Sequence, residues 1–244
     1  MPFHTQSQFP IKIEWGLAGA MHLAPHSDVI IIVDVLCFST CVDIAIARGA
    51  SVLPYFHKDE RAKEYADAHG AKLASRRWTP HLNKKVLSLS PSSMQLLNVG
   101  DKVVLPSPNG STISFSVEGC IVLCGCLRNA QAVAELAMMK GKRITVIAAG
   151  EKWVDGRIRF AIEDLLGAGA ILSFLSVAMS PEAKIAVNAF RSVENNLYKT
   201  LAQCSSGYEL IEKGFPEDVH ISCQFDVSNT MPILVGKEFV GKFF

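Results

Sequence analysis

The sequence has no apolar run long enough to span a bilayer and no excess of charge of either sign. Its 244 residues carry 24 Lys+Arg against 23 Asp+Glu, a formal net charge of +1. That balance excludes a nucleic-acid binder working by bulk charge, which carries a basic excess, and equally an acidic disordered chain. The most apolar stretches, 29–33 and 144–149, fall far short of the roughly 18–20 residues a membrane helix needs. Met1-Pro2-Phe3-His4 has neither the basic start nor the apolar core of an export signal. Charged residues make up 19% and apolar ones 49%, against about 25% charged in ordinary soluble domains. The surplus implies a sizeable core in one domain over 1–244 and is compatible with a homodimer. The seven cysteines are an odd number, set mostly in apolar segments, which reads as free buried thiols in a reducing cytoplasm. Cys124-Gly125-Cys126 is followed by no second Cys or His pair at zinc-ligand spacing.

Several catalytic signatures are missing too. No Gly-Lys-Ser/Thr closes a Walker loop, and no Gly-x-Ser-x-Gly elbow is present. Gly167-Ala168-Gly169-Ala170 is no dinucleotide fingerprint, because Leu172 occupies the place of the third glycine and the segment lies inside a helical pattern. Small residues there suit tight helix packing. The histidines form no catalytic set: His22 and His26 have Pro25 between them.

What recurs is a unit of short apolar strand, small polar loop and alanine-rich helix. Strands are expected at 29–33, 51–56, 102–105, 121–124 and 144–149, with helices at 39–46, 59–69, 130–139 and 162–176. The first strand is continuously apolar rather than alternating, the pattern of a strand buried on both faces. A long helix is expected over 181–201, capped by Ser180 with Pro181 in its first turn, then a short helix over 208–213. Strand-like patches follow over 221–240, broken by Pro232 and Gly236. The alternation predicts a three-layer α/β/α fold with a mostly parallel or mixed central sheet.

In such folds ligands gather at the carboxyl ends of the strands. Four ends carry distinctive residues: Asp34, the loop 107–112, Asn129, and the stretch 150–164. Asp34 serves either as a metal ligand, nucleophile or base, or as a cap for the next helix. A haloacid-dehalogenase type phosphatase needs a second acid two residues on, where Leu36 stands. Ser107-Pro108-Asn109-Gly110-Ser111-Thr112 offers backbone N–H groups and hydroxyls to an anion, or is simply a turn. Glu163-Asp164 suits a helix start, and with Asp34 would make an oxygen-rich Mg²⁺ site. Arg76-Arg77, Arg157 and Arg159 are candidates for holding phosphate or acid.

Val33-Asp34-Val35-Leu36, Pro108-Asn109-Gly110-Ser111, Leu127-Arg128-Asn129-Ala130 and Ala149-Gly150 resemble motifs of the 2-phosphosulfolactate phosphatases. So do Glu163-Asp164-Leu165-Leu166-Gly167-Ala168-Gly169 and Ser205-Ser206-Gly207-Tyr208-Glu209-Leu210, in the same order. The resemblance implies an α/β fold of its own rather than a standard Rossmann domain, and a Mg²⁺-dependent hydrolase of a small phosphorylated acid on the route to coenzyme M. Asp34, Glu163 and Asp164 would then hold Mg²⁺. Arg76, Asn109, Gly110, Ser111, Thr112, Asn129 and Gly150 would bind substrate. Three positions depart from the family pattern. Cys37 replaces an arginine, Ser75 stands where an acid is usual, and Leu89 replaces an asparagine. These losses motivate a second reading, a homologue that binds a small anionic metabolite without turning it over. In a third, Cys37 is a redox thiol.

Overall fold

In the computed structural model the described residues are 3–56, 61–75 and 86–242. Eleven strands occur among them: β1 Ile11–Trp15, β2 Val29–Val33, β3 Ser51–Tyr55, β4 Lys72–Leu73, β5 Lys102–Pro106, β6 Ile121–Gly125, β7 Ile144–Ala148, β8 Glu151–Lys152, β9 Ile158–Arg159, β10 Met231–Val235 and β11 Glu238–Lys242. The helices are α1 Gly16–Leu23, α2 Phe38–Ala47, α3 Arg61–Ala68, α4 Pro91–Met94, α5 Gly110–Ser116, α6 Ala130–Lys140, α7 Ile162–Ser173, α8 Pro181–Val193, α9 Leu197–Gln203, α10 Ser205–Glu212 and α11 Pro216–Ser222.

Nine strands form one sheet in the order β1-β7-β2-β6-β10-β11-β3-β5-β4. Parallel pairing runs through β1-β7-β2-β6 at one side and β3-β5-β4 at the other. The β10–β11 hairpin turns at Gly236 and joins the two blocks by antiparallel pairing. The sheet is therefore mixed and flanked by helices. Every residue of β2 is fully buried, as a central strand covered on both faces requires. Burying its five β-branched side chains is worth about 1.5–3 kcal/mol each. Against it pack α5, α6 and α7, where a Cβ on Gly167 would lie 2.9 Å from the Val33 side chain. Helix α2, buried from Phe38 through Ile46, covers β3 and β6. A Cβ on Gly169 would lie 2.1 Å from the Ala186 carbonyl oxygen of α8. The glycine pair thus serves close packing, as its sequence context predicts.

The C-terminal third corrects the expected element pattern. The single helix over 181–201 is two helices, α8 and α9, parted by a 3-10 turn at Glu194–Asn196. Asparagine side chains compete for backbone hydrogen bonds and favour such breaks. Ser180 does cap α8, its hydroxyl oxygen accepting from the Ala183 N–H at 3.2 Å. The start of the patch at 221–240 belongs to helix α11, and only β10 and β11 are strands. The helix beginning at 162 ends at Ser173. The expected helix at 59–69 is described from Arg61, since 57–60 lie outside the described residues. No described helix is long and apolar enough to cross a membrane, and none of the seven cysteines is in a disulfide.

Candidate active site

Asp34 leaves the end of β2 as the first polar residue after five apolar ones, because the buried strand gives way there to a loop. It is 6% exposed. The segment leaving β5 reaches across to it: Gly110 N–H donates to Asp34 Oδ2 at 2.9 Å, and the Ser107 hydroxyl donates to the same oxygen at 3.4 Å. Phe38 N–H donates to Oδ1 at 3.3 Å. Only glycine permits this approach at position 110. A Cβ there would lie 2.2 Å from Phe38 Cδ1 and 2.9 Å from Asp34 Oδ2. Asp34 thus accepts from the start of α2, as a cap does, while its other oxygen serves a different segment.

Two further acids open α7. Asp164 bridges two strand ends, Oδ1 accepting from Val35 N–H at 2.7 Å and Oδ2 from Gly150 N–H at 2.8 Å. Gly150 makes that turn with φ +69°. Glu163 is 2% exposed and accepts from the Cys204 thiol at 3.5 Å. The Cys204 thiol is pushed up to about 12, by burial first and then by Glu163, so it is a proton donor here and not a thiolate.

Glu151 is the acid that sequence reasoning did not single out. It stands at the start of β8, immediately after Gly150, and accepts from Asn109 Nδ2 at 3.1 Å. Its signal was present as a lone acid following the glycine that ends the β7 segment. Burial and then Asp34 raise its pKa. Burial raises Asp34 above the ordinary aspartate value, with Glu163 adding to the effect. Burial, Asp34 and Glu163 together raise Asp164 well above it. Four carboxyl groups therefore sit within electrostatic reach of one another, and Asp34 is supported only by dipoles among its described hydrogen-bond partners.

The other expected site residues divide. Asn109, Gly110 and Gly150 join the acids. Ser111 and Thr112 lie beside them, but their hydroxyls donate inward, to the Leu105 and Pro108 carbonyls at 2.8 Å each. Asn129 is placed in another network: its Oδ1 accepts from Cys126 N–H at 2.9 Å, and Nδ2 reaches Thr230. Arg76 and Arg77 lie outside the described residues. Arg159 donates to the Ser206 hydroxyl at 3.0 Å, and exposed Arg157 pairs with Asp155. Cys37 is buried in the core, and Leu89 packs against it.

No three His, Cys, Asp or Glu side chains among the described residues are arranged to enclose a metal ion. Asp34, Glu163 and Asp164 therefore do not form the expected three-acid set, and both Asp164 oxygens are engaged by the Val35 and Gly150 N–H groups. Mg²⁺ seldom requires such a cage, since one or two carboxylates usually hold it together with water and substrate phosphate. Asp34 and Glu163 are all-oxygen donors whose mutual repulsion a cation would offset, so the residues present fit a hard divalent ion.

The family model for 2-phosphosulpholactate phosphatase matches residues 19–237. The 2-phosphosulfolactate phosphatase of Methanothermobacter thermautotrophicus is 31% identical over 85% of this chain and 87% of its own length. A probable 2-phosphosulfolactate phosphatase of Thermotoga petrophila is 28% identical over 88% and 92%. One from Microcystis aeruginosa is 25% identical over 95% and 94%. The chain belongs to the 2-phosphosulfolactate phosphatase family.

Proposed function

We propose that the protein is a Mg²⁺-dependent phosphatase of a small phosphorylated acid, similar in reaction to the relatives named for 2-phosphosulfolactate. The observation that carries this reading is Asp34: a buried carboxylate at a strand end, within electrostatic reach of Glu163, and held by backbone N–H groups rather than by a basic side chain. A structural aspartate at that depth is ordinarily paired with a cation.

In this reading Asp34 and Glu163 would hold Mg²⁺, which supplies charge neutralisation at the phosphoryl group. Asp164 positions the site by joining Val35 to Gly150, and so fixes the end of β2 against the end of β7. Asn109, aligned by Glu151, orients the phosphate, and the backbone at Gly110 holds Asp34 in place. Burial of the cluster excludes water from the carboxylates and strengthens each of these interactions.

The test is phosphate release from small phosphorylated acids with and without Mg²⁺. Metal-dependent turnover is expected, lowered by roughly 10²–10⁴-fold in Asp34→Asn, as for loss of a group acting directly at the reacting centre. Release that ignores Mg²⁺ or survives Asp34→Asn would sink the reading. The replacements at Cys37, Ser75 and Leu89 favour the alternative of a binding protein. Saturable binding of a phosphorylated acid without turnover would establish it.

A further inference from the structure

Beside the carboxylates lies a cleft of about 890 Å³. It adjoins the candidate site, because Asn109 and Glu151, hydrogen-bonded to each other, line it. Its walls are otherwise strongly apolar. Trp15 ends β1, Leu17 lies in α1, Ile113 in α5, and Ile158 and Phe160 belong to the β8–β9 hairpin and its exit.

The walls are built rather than accidental. Trp15 and Phe160 pack against each other at a tilt, ring centroids 4.8 Å apart and planes at 52°. Ile158 sits over two left-handed glycines: a Cβ on Gly16 would lie 2.7 Å from its Cδ1, and one on Gly150 would lie 3.1 Å away. Those glycines let the hairpin close down beside the acids. Phe160 is 69% and Leu17 40% exposed, so apolar surface is left open next to a charged centre. Lys152 donates to the Pro108 carbonyl at 3.2 Å, which puts a positive charge at the junction of cleft and acids.

The size decides what fits. About 890 Å³ is near the top of the roughly 300–1,000 Å³ range of pockets that enclose drug-sized ligands. A three-carbon phosphorylated acid would leave most of it as wet apolar surface.

We propose that this cleft binds the alcohol portion of the substrate, and that the phosphorylated acid turned over here carries a ring-sized apolar group beyond what the smallest such acids have. The inference rests on the phosphatase reading only for where the phosphate sits. The open surface of Phe160 and Leu17, with Ile158 beside them, would hold the ring, and the phosphate would reach Asn109 and the acids proposed to hold the metal.

Non-hydrolysable probes separate the two readings. In Mg²⁺, benzylphosphonate and methylphosphonate are titrated by calorimetry into the wild-type protein, Phe160→Ala and Leu17→Asp. Benzylphosphonate is expected to bind about tenfold to a hundredfold more tightly, the effect of burying a phenyl group. Each substitution is expected to lower that preference by about fivefold or more. Equal affinities for the two probes, or a preference unmoved in both variants, would overturn the inference. A benzyl preference in a protein that releases no phosphate from any ester would uphold the cleft and defeat the phosphatase reading. Turnover of small acids with no benzyl preference would do the reverse.

Discussion

Asp34 and Asp43 stand at the two ends of one short stretch of chain, one just before α2 and one within it, and both are buried. Their surroundings are opposite. Asp43 accepts from Arg128 Nε at 2.8 Å, from the Ser228 hydroxyl at 2.5 Å and from the Thr230 hydroxyl. Asn129 and Gln224 extend the network to its borders. Asp34 has two backbone N–H groups, one distant hydroxyl and three acidic neighbours. The first acid is satisfied within the protein and ties the 226–230 loop to α2. The second has only dipoles among its described hydrogen-bond partners, and in the proposed function an external cation would complete it. Depth alone does not mark a functional carboxylate; the sign of its neighbours does.

The largest expected effect falls on the satisfied acid. Asp43→Ala leaves the half-buried Arg128 without its carboxylate and the Ser228 and Thr230 hydroxyls without their acceptor, and breaking a buried pair costs about 3–5 kcal/mol. The urea midpoint should drop accordingly. Asp34→Asn should do the opposite: it removes a desolvated charge and keeps an acceptor, so metal-free stability should stay level or rise while phosphate release is lost. If both variants lose stability equally, the contrast between the two acids fails.

The pH dependence of stability sharpens the same contrast. Asp34, Asp164 and Glu151 are raised in the folded protein, first by burial. The folded state therefore holds their protons more tightly than the unfolded chain does. Their contribution is complete below the ordinary carboxylate range and is lost as pH rises through the elevated native values. Without metal, the urea midpoint should fall as pH rises above the ordinary carboxylate range, and saturating Mg²⁺ should flatten that slope by binding the folded state. Asp34→Asn should flatten it as well. A metal-free slope identical in the variant would remove Asp34 from the coupled cluster.

How much of this was legible in the chain depends on the range of the interaction. The all-apolar β2 and the acids opening α7 are local patterns, and both elements occur where periodicity places them. Asp34, Asn109, Gly150, Glu163 and Asp164 do converge, because each follows a strand end or starts a helix in the unit that recurs. Asn129 carries the same local signature, yet its amide is taken up by Thr230, about a hundred residues away in the chain, and no local spacing reports that pairing. The β10–β11 hairpin was legible only as strand-like patches with a break at Gly236, and its place in the sheet was not. Pro232 lacks an N–H and reads as a strand breaker, but β10 pairs with β6 through Ile233 opposite Leu123. Glu151 was overlooked because it is a single acid in a short hairpin, and only the fold brings Asn109 to it.

Gly110→Ala perturbs the open acid without touching its charge. The new methyl would meet the Phe38 ring and Asp34 Oδ2, and overpacking of this kind costs about 1–3 kcal/mol. Asp34 must then shift, so kcat should fall by more than the stability change implies at temperatures where the variant is fully folded. A variant that melts lower yet keeps wild-type kcat would show that Gly110 serves packing alone.

The smallest effect concerns a third acid, compensated at the surface. Asp28 accepts from Lys142 and Arg143 N–H groups at 3.0 and 2.8 Å and from the Arg143 guanidinium at 2.9 and 2.5 Å. The guanidinium comes first among the causes that hold its pKa at about 2. The stability it contributes is present above the ordinary aspartate range and lost as pH falls toward about 2, the reverse of Asp34. Water screens an exposed pair, so Asp28→Asn should cost only about 0.2–1 kcal/mol near neutral pH and nothing at acid pH. High salt should shrink the difference further, whereas the Asp43→Ala loss should persist in salt because its pair is buried. A salt-insensitive loss at Asp28 as large as that at Asp43 would mean that exposure does not divide these acids, and the neighbours alone would have to carry the comparison.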